Sequence, residues 1–194
     1  NRPTHTHHPL QASLPKEAAS LVESVAPDTI FHLASPIYFG EDPQETARLE
    51  QGIVDATEAL LAAATGRNIR FVHAGSCAEY GRAPAPHRED GPTIPINTYG
   101  AFKADATSRV LAAPFDVTVV RPFRAIGPGD ATSVVAGAAR AALRQHSFEM
   151  TEGSQIREWN HAATIAQGIM MAGSHPAAIG EVLNLGGGES RSVY

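Results

Sequence analysis

The chain has 194 residues, 43% of them hydrophobic and 18% charged, with a formal net charge of -5, which suits one folded domain with a sizeable core and argues against disorder. That acidic balance gives no basis for nucleic acid or an acidic membrane surface as a partner, and no apolar run approaches the roughly 20 residues of a membrane-spanning helix. A single cysteine, Cys77, excludes an internal disulfide framework and points to a reducing, cytoplasmic setting.

The opening stretch "NRPTHTHHPLQASLPK" has no apolar core segment, so no signal peptide is expected within it. His5, His7 and His8 there read as a polar, solvated tail rather than a metal-ligand set, and no metal site is expected. Pro15 then opens a predicted helix over 15–27, with Leu21, Val22 and Val25 on one face. "TIFHLA" (29–34) is short, apolar and β-rich, a strand. A long amphipathic helix is predicted over 42–66, opened by Pro43, acidic in its first turn and closed at Gly66. The strand "IRFVHAG" (69–75) follows, then a loop rich in proline and charge over 81–97. A helix over 98–113 leads to the strand "DVTVVRPF" (116–123), the loop "RAIGPGD" and a helix over 133–145. A helix near 161–173 and the strand "EVLNLG" (181–186) close the pattern. Strands alternating with helices of this length predict βαβ units and a parallel sheet covered on both faces, an α/β architecture. Ligands in such sheets sit at the carboxyl ends of the strands, which aligns "LAS" (33–35), "AGSC" (74–77) and "RPFRAIG" (121–127) along one rim.

The predicted helix from residue 98 carries Tyr99 and, four residues on, Lys103, in a chain whose other lysine is Lys16. Residues four apart share a helix face. A phenol titrating near 10 is a poor base at neutral pH, and a neighbouring ammonium favours its ionised form. The pair therefore suits proton exchange with a substrate alcohol or ketone. His32 reads as the end of its strand, His73 as a satisfied core or rim histidine, and Met170 with Met171 as core filler. Cys77 reads as a buried free thiol, pointing away from any site.

These motifs occur in order: "FHLAS", "FVHAGSCAEYG", "YGAFK", "RPF" with "GPG" behind it, "REW" and "EVLNLGGGES". From about Pro15 to Ser192 the chain resembles the extended short-chain dehydrogenases/reductases, in the NAD-dependent epimerase/dehydratase branch that acts on nucleotide sugars. The resemblance implies a Rossmann-like, doubly wound parallel sheet with a partial substrate-binding lobe. It implies an NAD(P)-binding portion over 1–124 carrying the catalytic residues, and a nucleotide-sugar-binding portion over 125–194. The cofactor implied is NAD or NADP and the partner a nucleotide sugar, with a homodimer left open.

Residue by residue, the resemblance makes Tyr99 the acid/base, Lys103 the partner of the nicotinamide ribose and depressor of the Tyr99 pKa, and Ser76 the group orienting the reacting oxygen. Leu33, Ala34 and Ser35 would line the cofactor, and Pro122 and Phe123 would flank the nicotinamide. Arg157 would pair with the substrate diphosphate, unless it pairs with Glu158, and Arg124 would face the sugar nucleotide. Cys77 and Ala78 stand where 4,6-dehydratases have an acid, which disfavours dehydration. The implied reaction is 4-keto reduction or C4 epimerisation; the alternative is a non-catalytic binding or interaction module.

One family feature does not occur. The first glycine is Gly40, beyond the first strand, and no Gly-x-x-Gly-x-x-Gly or Gly-x-Gly-x-x-Gly run occurs in the chain. Such a loop lets the backbone approach a pyrophosphate at a helix N-terminus. Gln11 stands where the family often has an acid toward adenine. The chain therefore reads as an incomplete record of a longer enzyme, as a fragment needing a partner, or as a degenerate homologue.

Overall fold

A computed structural model describes residues 14–131 and 133–192; His5, His7, His8 and Gln11 lie outside them. Helix α1 (Pro15–Val25) has proline in its first turn and ends on Ala26 in the left-handed region. Strand β1 (Thr29–His32) is two residues shorter than the sequence predicts. Asp42 caps α2 (Pro43–Glu50), its carboxylate accepting from the Gln44 and Glu45 amides. A π-helical turn (Gln51–Asp55) joins α2 to α3 (Ala56–Ala64), a defect that hydrophobic periodicity does not register. Strand β2 (Arg70–Ala74), helix α4 (Thr98–Leu111) and strand β3 (Val117–Pro122) follow. The carboxy-terminal part holds β4 (Ala125–Ile126), α5 (Val134–Leu143), β5 (Arg157–Glu158), β6 (Asn160–His161), α6 (Ala162–Ser174), β7 (Val182–Leu185) and β8 (Ser190–Arg191). The two-residue strands β4, β5, β6 and β8 are too short to show a period in sequence.

Strands β1, β2, β3 and β7 form one parallel sheet in that order, with β1 at an edge. The predicted α/β Rossmann-like class is the class observed. Alternation divides its side chains. Phe71, Val117 and Val119 face α1, α3 and α4 in the main core, while Val72 and Val120 face Ala172 of α6. Met170 and Met171 are not core filler, being 60% and 65% exposed, because α6 turns Ile165, Ala172 and Gly173 toward the sheet instead.

Two histidines sit side by side in the sheet, His32 of β1 in register with His73 of β2, rings 5.4 Å apart. The Thr57 hydroxyl donates to the Ile53 carbonyl, so His32 Nε2, 3.0 Å from that hydroxyl, carries the proton and donates to it. His73 differs from the satisfied histidine expected: it is 1% exposed and neither ring nitrogen has a hydrogen-bond partner. Burial, and then the Lys103 charge, lower both pKa values, His32 to about 4. A histidine lowered on folding adds stability above its unfolded pKa and loses it as pH falls through the folded one. The chain is therefore expected to lose on the order of 3 kcal/mol through His32 between about pH 6.5 and pH 4. Denaturant titrations across that range check this, and a flat profile contradicts it.

Candidate active site

Helix α4 and the turn that follows β2 bring the predicted catalytic residues together. The buried face of α4 carries Tyr99, Lys103, Ala106, Thr107 and Val110, the spacing of an amphipathic helix. Asn97 caps α4 through the Gly100 amide at 2.8 Å. At Gly100 a Cβ would stand 2.6 Å from the Ala78 carbonyl, so glycine beside Tyr99 is what allows the helix start to approach the β2 loop. Lys103 is 3% exposed and its Nζ donates to the Ala74 carbonyl, at the carboxyl end of β2, over 2.7 Å.

Ser76 follows β2 and caps the short 3₁₀ turn Cys77–Glu79, its Oγ accepting from the Ala78 amide at 3.1 Å. The Ser76 and Ser35 hydroxyls lie on the Tyr99 side of the cleft, and the Phe39 ring stands edge-on to the Tyr99 ring at 5.5 Å. Burial raises the Tyr99 pKa, against those two hydroxyls, which favour its ionised form. This differs from the depression expected of Lys103, because desolvation of the buried phenol outweighs the groups that favour its ionised form. Lys103 is itself lowered to about 8, by burial first and against the attraction of Glu79.

Leu33, Ala34 and Ser35 leave the carboxyl end of β1, with Leu33 49% exposed. Pro122 ends β3, and the Phe123 amide donates to the Leu185 carbonyl of β7 at 2.9 Å. A cavity of about 570 Å³ opens beside them, lined by Cys77, His87, Phe123, Arg157, Glu158 and Asn184 among others. A second, of about 530 Å³, is lined by Arg124, Arg140, Phe148, Arg157 and Trp159. Arg157 borders both, and Arg124 lies over the Trp159 ring at 5.6 Å. Arg157 donates to the Ile156 carbonyl at 2.7 Å, and Glu158 accepts from the Gly188 amide at 3.2 Å, so they are engaged separately. Cys77 is half-buried and lines the cleft, correcting the buried thiol expected. The residue after Ser76 lies in a 3₁₀ turn, where strand alternation no longer applies. The largest cavity, about 790 Å³ between α1, α3 and α4, contains none of the predicted site residues.

Sequence reasoning passed over the polar network beneath the site. Glu79 is fully buried, and its Oε2 accepts from Arg121 Nε at 2.8 Å. Arg121 also donates to the Tyr80 hydroxyl at 3.0 Å and lies over that ring. The His87 ring stacks parallel to the Tyr80 ring, with centroids 4.6 Å apart. Two signals were readable: the Ser-x-x-Glu capping box at 76–79, and a lone arginine in the apolar strand "DVTVVRPF", which needs a partner.

The residues present fit the nicotinamide-riboside end of a dinucleotide: Tyr99, Lys103 and Ser76 meet at the strand ends, with Phe123 nearby. Among the described residues, the exposed side chains beyond β1 include Leu33, Ile37 and Phe39, an apolar surface that does not suit phosphates.

The comparisons with known proteins agree with this geometry. The NAD dependent epimerase/dehydratase family profile matches residues 3–186. The dTDP-6-deoxy-L-talose 4-dehydrogenase (NAD(P)(+)) of Kitasatospora kifunensis is 27% identical over 92% of this chain and 59% of its own length. The GDP-6-deoxy-D-mannose reductase of Pseudomonas aeruginosa is 30% identical over 86% of this chain and 60% of its own length. The crystal structure of Pal from Bacillus thuringiensis superposes with a TM-score of 0.87 at 25% identity, over 94% of this chain and 62% of that one. The chain thus spans about three-fifths of each of these proteins.

The buried ammonium makes a stability prediction. A lysine pKa lowered on folding adds stability above its unfolded value of 10.5 and loses it as pH falls through about 8. At pH 7 the fold therefore carries a charged Lys103 at a cost, and Lys103→Met is expected to be more stable by about 1–2 kcal/mol. The gain should vanish as pH rises past 8, in thermal melts of both proteins. A Lys103→Met variant less stable at pH 7 contradicts it. With Tyr99 and Lys103 on one buried helix face, the parallel sheet and a family match over residues 3–186, the chain belongs to the NAD dependent epimerase/dehydratase family.

Proposed function

We propose that the chain carries the catalytic half of an NAD(P)-dependent oxidoreductase acting on a nucleotide-activated keto-deoxysugar, reducing its 4-keto group. The supporting observation is the convergence of Tyr99, Lys103 and Ser76 beside a cleft that Arg157 shares with a second cavity. The Kitasatospora and Pseudomonas relatives, whose names describe a 4-dehydrogenase and a reductase of deoxysugar nucleotides, support the substrate class.

A bound nicotinamide supplies the hydride. The chain's own residues handle the oxygen. Ser76 hydrogen-bonds the ketone oxygen and aligns it with the Tyr99 hydroxyl, and Tyr99 gives that oxygen its proton as negative charge builds there. Lys103 then stabilises the phenolate left behind. Burial keeps Tyr99 protonated at rest, the state a reduction requires. Epimerisation would begin with the phenolate; the reductase reading is preferred on the printed names of the Kitasatospora and Pseudomonas relatives. Arg157 and Arg124 grip the diphosphate, for which a guanidinium's planar fork is suited. In this reading the residues up to Pro122 supply the chemistry, and Arg124 with the 125–194 portion supplies the substrate grip.

The rival reading, a binding module without turnover, is favoured by the apolar residues beyond β1 where a phosphate cradle is needed. Deuteride transfer from labelled NADH or NADPH to a nucleotide 4-keto-6-deoxysugar separates the two. We expect incorporation at C4, a Tyr99→Phe loss of about 100-fold or more in kcat, and an Arg157→Ala rise of about tenfold in KM. Nucleotide-sugar binding that needs Arg157, with no deuterium transferred, supports the binding module instead.

A further inference from the structure

Glu79 is a fully buried carboxylate of the site that the reaction itself does not use. A capping box on a turn of three residues needs no such burial, since a solvated carboxylate caps equally well and desolvating one is costly. Here the carboxylate joins three elements. Oε1 accepts from the Ser76 amide at 2.7 Å and from the Thr107 hydroxyl of α4 at 3.1 Å, while Oε2 takes Arg121 of β3. Gly75 leaves the space this requires, because a Cβ there would strike Glu79 Oε1. From Arg121 the chain of hydrogen bonds continues through the Tyr80 hydroxyl to Asn184 Oδ1 at 2.7 Å, on the cleft wall.

The hydroxyl of Ser76 has one proton and two lone pairs. The Ala78 amide occupies one lone pair, which leaves the proton and one lone pair for Tyr99 and the reacting oxygen. That division holds only while the Ser76 backbone is fixed, and Glu79 is what fixes it.

We propose that Glu79 is the positioning residue for Ser76, locking its hydroxyl between Tyr99 and the substrate oxygen and tying that alignment to the helix of Tyr99 through Thr107. The inference rests on the oxidoreductase reading for its chemistry, but its test does not need turnover. Tyr99 ionisation is followed by ultraviolet difference titration, each protein being compared with its Tyr99→Phe counterpart. Ser76→Ala should raise the Tyr99 midpoint by removing a hydroxyl that favours its ionised form. Glu79→Gln has two opposed effects. Losing the Glu79 charge lowers the midpoint, and losing the Ser76 alignment raises it.

In the Ser76→Ala background only the charge effect remains, so Glu79→Gln should lower the midpoint more there than in the wild-type chain, a coupling that a double-mutant cycle reads directly. Equal lowering in both backgrounds overturns the proposal. If Glu79→Gln does not fold, Thr107→Val keeps the charge and removes one of the bonds to Oε1. It should raise the midpoint when Ser76 is present and not in Ser76→Ala; equal shifts again overturn it. In an active preparation Glu79→Gln should also lower kcat about tenfold with the sugar KM within about twofold. Coupling without any reductase activity would refute the reductase reading and leave the positioning role standing.

Discussion

A buried ammonium governs the arrangement. Lys103 reaches from α4 to the last carbonyl of β2, and that bond sets the helix against the carboxyl end of the sheet. Tyr99, one turn earlier, thereby comes to the mouth of the same strand, where the Ser76 loop begins. A charged lysine at 3% exposure is an expensive way to hold a helix, since desolvation opposes its charge. An apolar residue would hold α4 more cheaply. The proposed reaction gives the retained ammonium a use, beside a phenol that would pass through its ionised form. Neutral His32 and His73 lie beneath it, kept uncharged by the same burial, so positive charge in this part of the core is concentrated on Lys103.

A second buried charge balances the other side of the site. The Glu79–Arg121 pair is enclosed by Thr107, Tyr80 and the Ser76 amide, and losing one partner of such a pair costs about 3–5 kcal/mol because the other is left uncompensated. Arg121 belongs to the strand that ends at Pro122 and leads into Phe123 and Arg124. The same strand therefore anchors the network beneath Ser76 and launches the residues that face the cleft. Arg157 borders two cavities, the placement that the proposed grip on a diphosphate between a sugar and a nucleoside requires.

Much of this was legible in the sequence. The alternation of short strands and amphipathic helices defined the sheet, and the spacing of Tyr99 and Lys103 placed both on one buried helix face. Where local rules failed, tertiary context was the cause. Met170 and Met171 look like core residues until the sheet takes the other face of α6. Cys77 seemed to point away from the cleft because strand alternation was extended into a turn. The burial of Glu79 was hidden because its partners, Thr107 and Arg121, are distant in sequence. The two-residue strands near the substrate cavities pair with residues far along the chain, so no local pattern announces them.

In the proposed reading Tyr99 and Lys103 hold the nicotinamide end of the cofactor, and the described residues supply little for the adenosine diphosphate end. Calorimetric titration of the 194-residue chain with reduced nicotinamide mononucleotide and with NADH tests this directly. Affinities within about tenfold of one another are expected, both weakened in Lys103→Met. NADH binding more than about a hundredfold tighter than the mononucleotide, or indifference of both ligands to Lys103→Met, would contradict it.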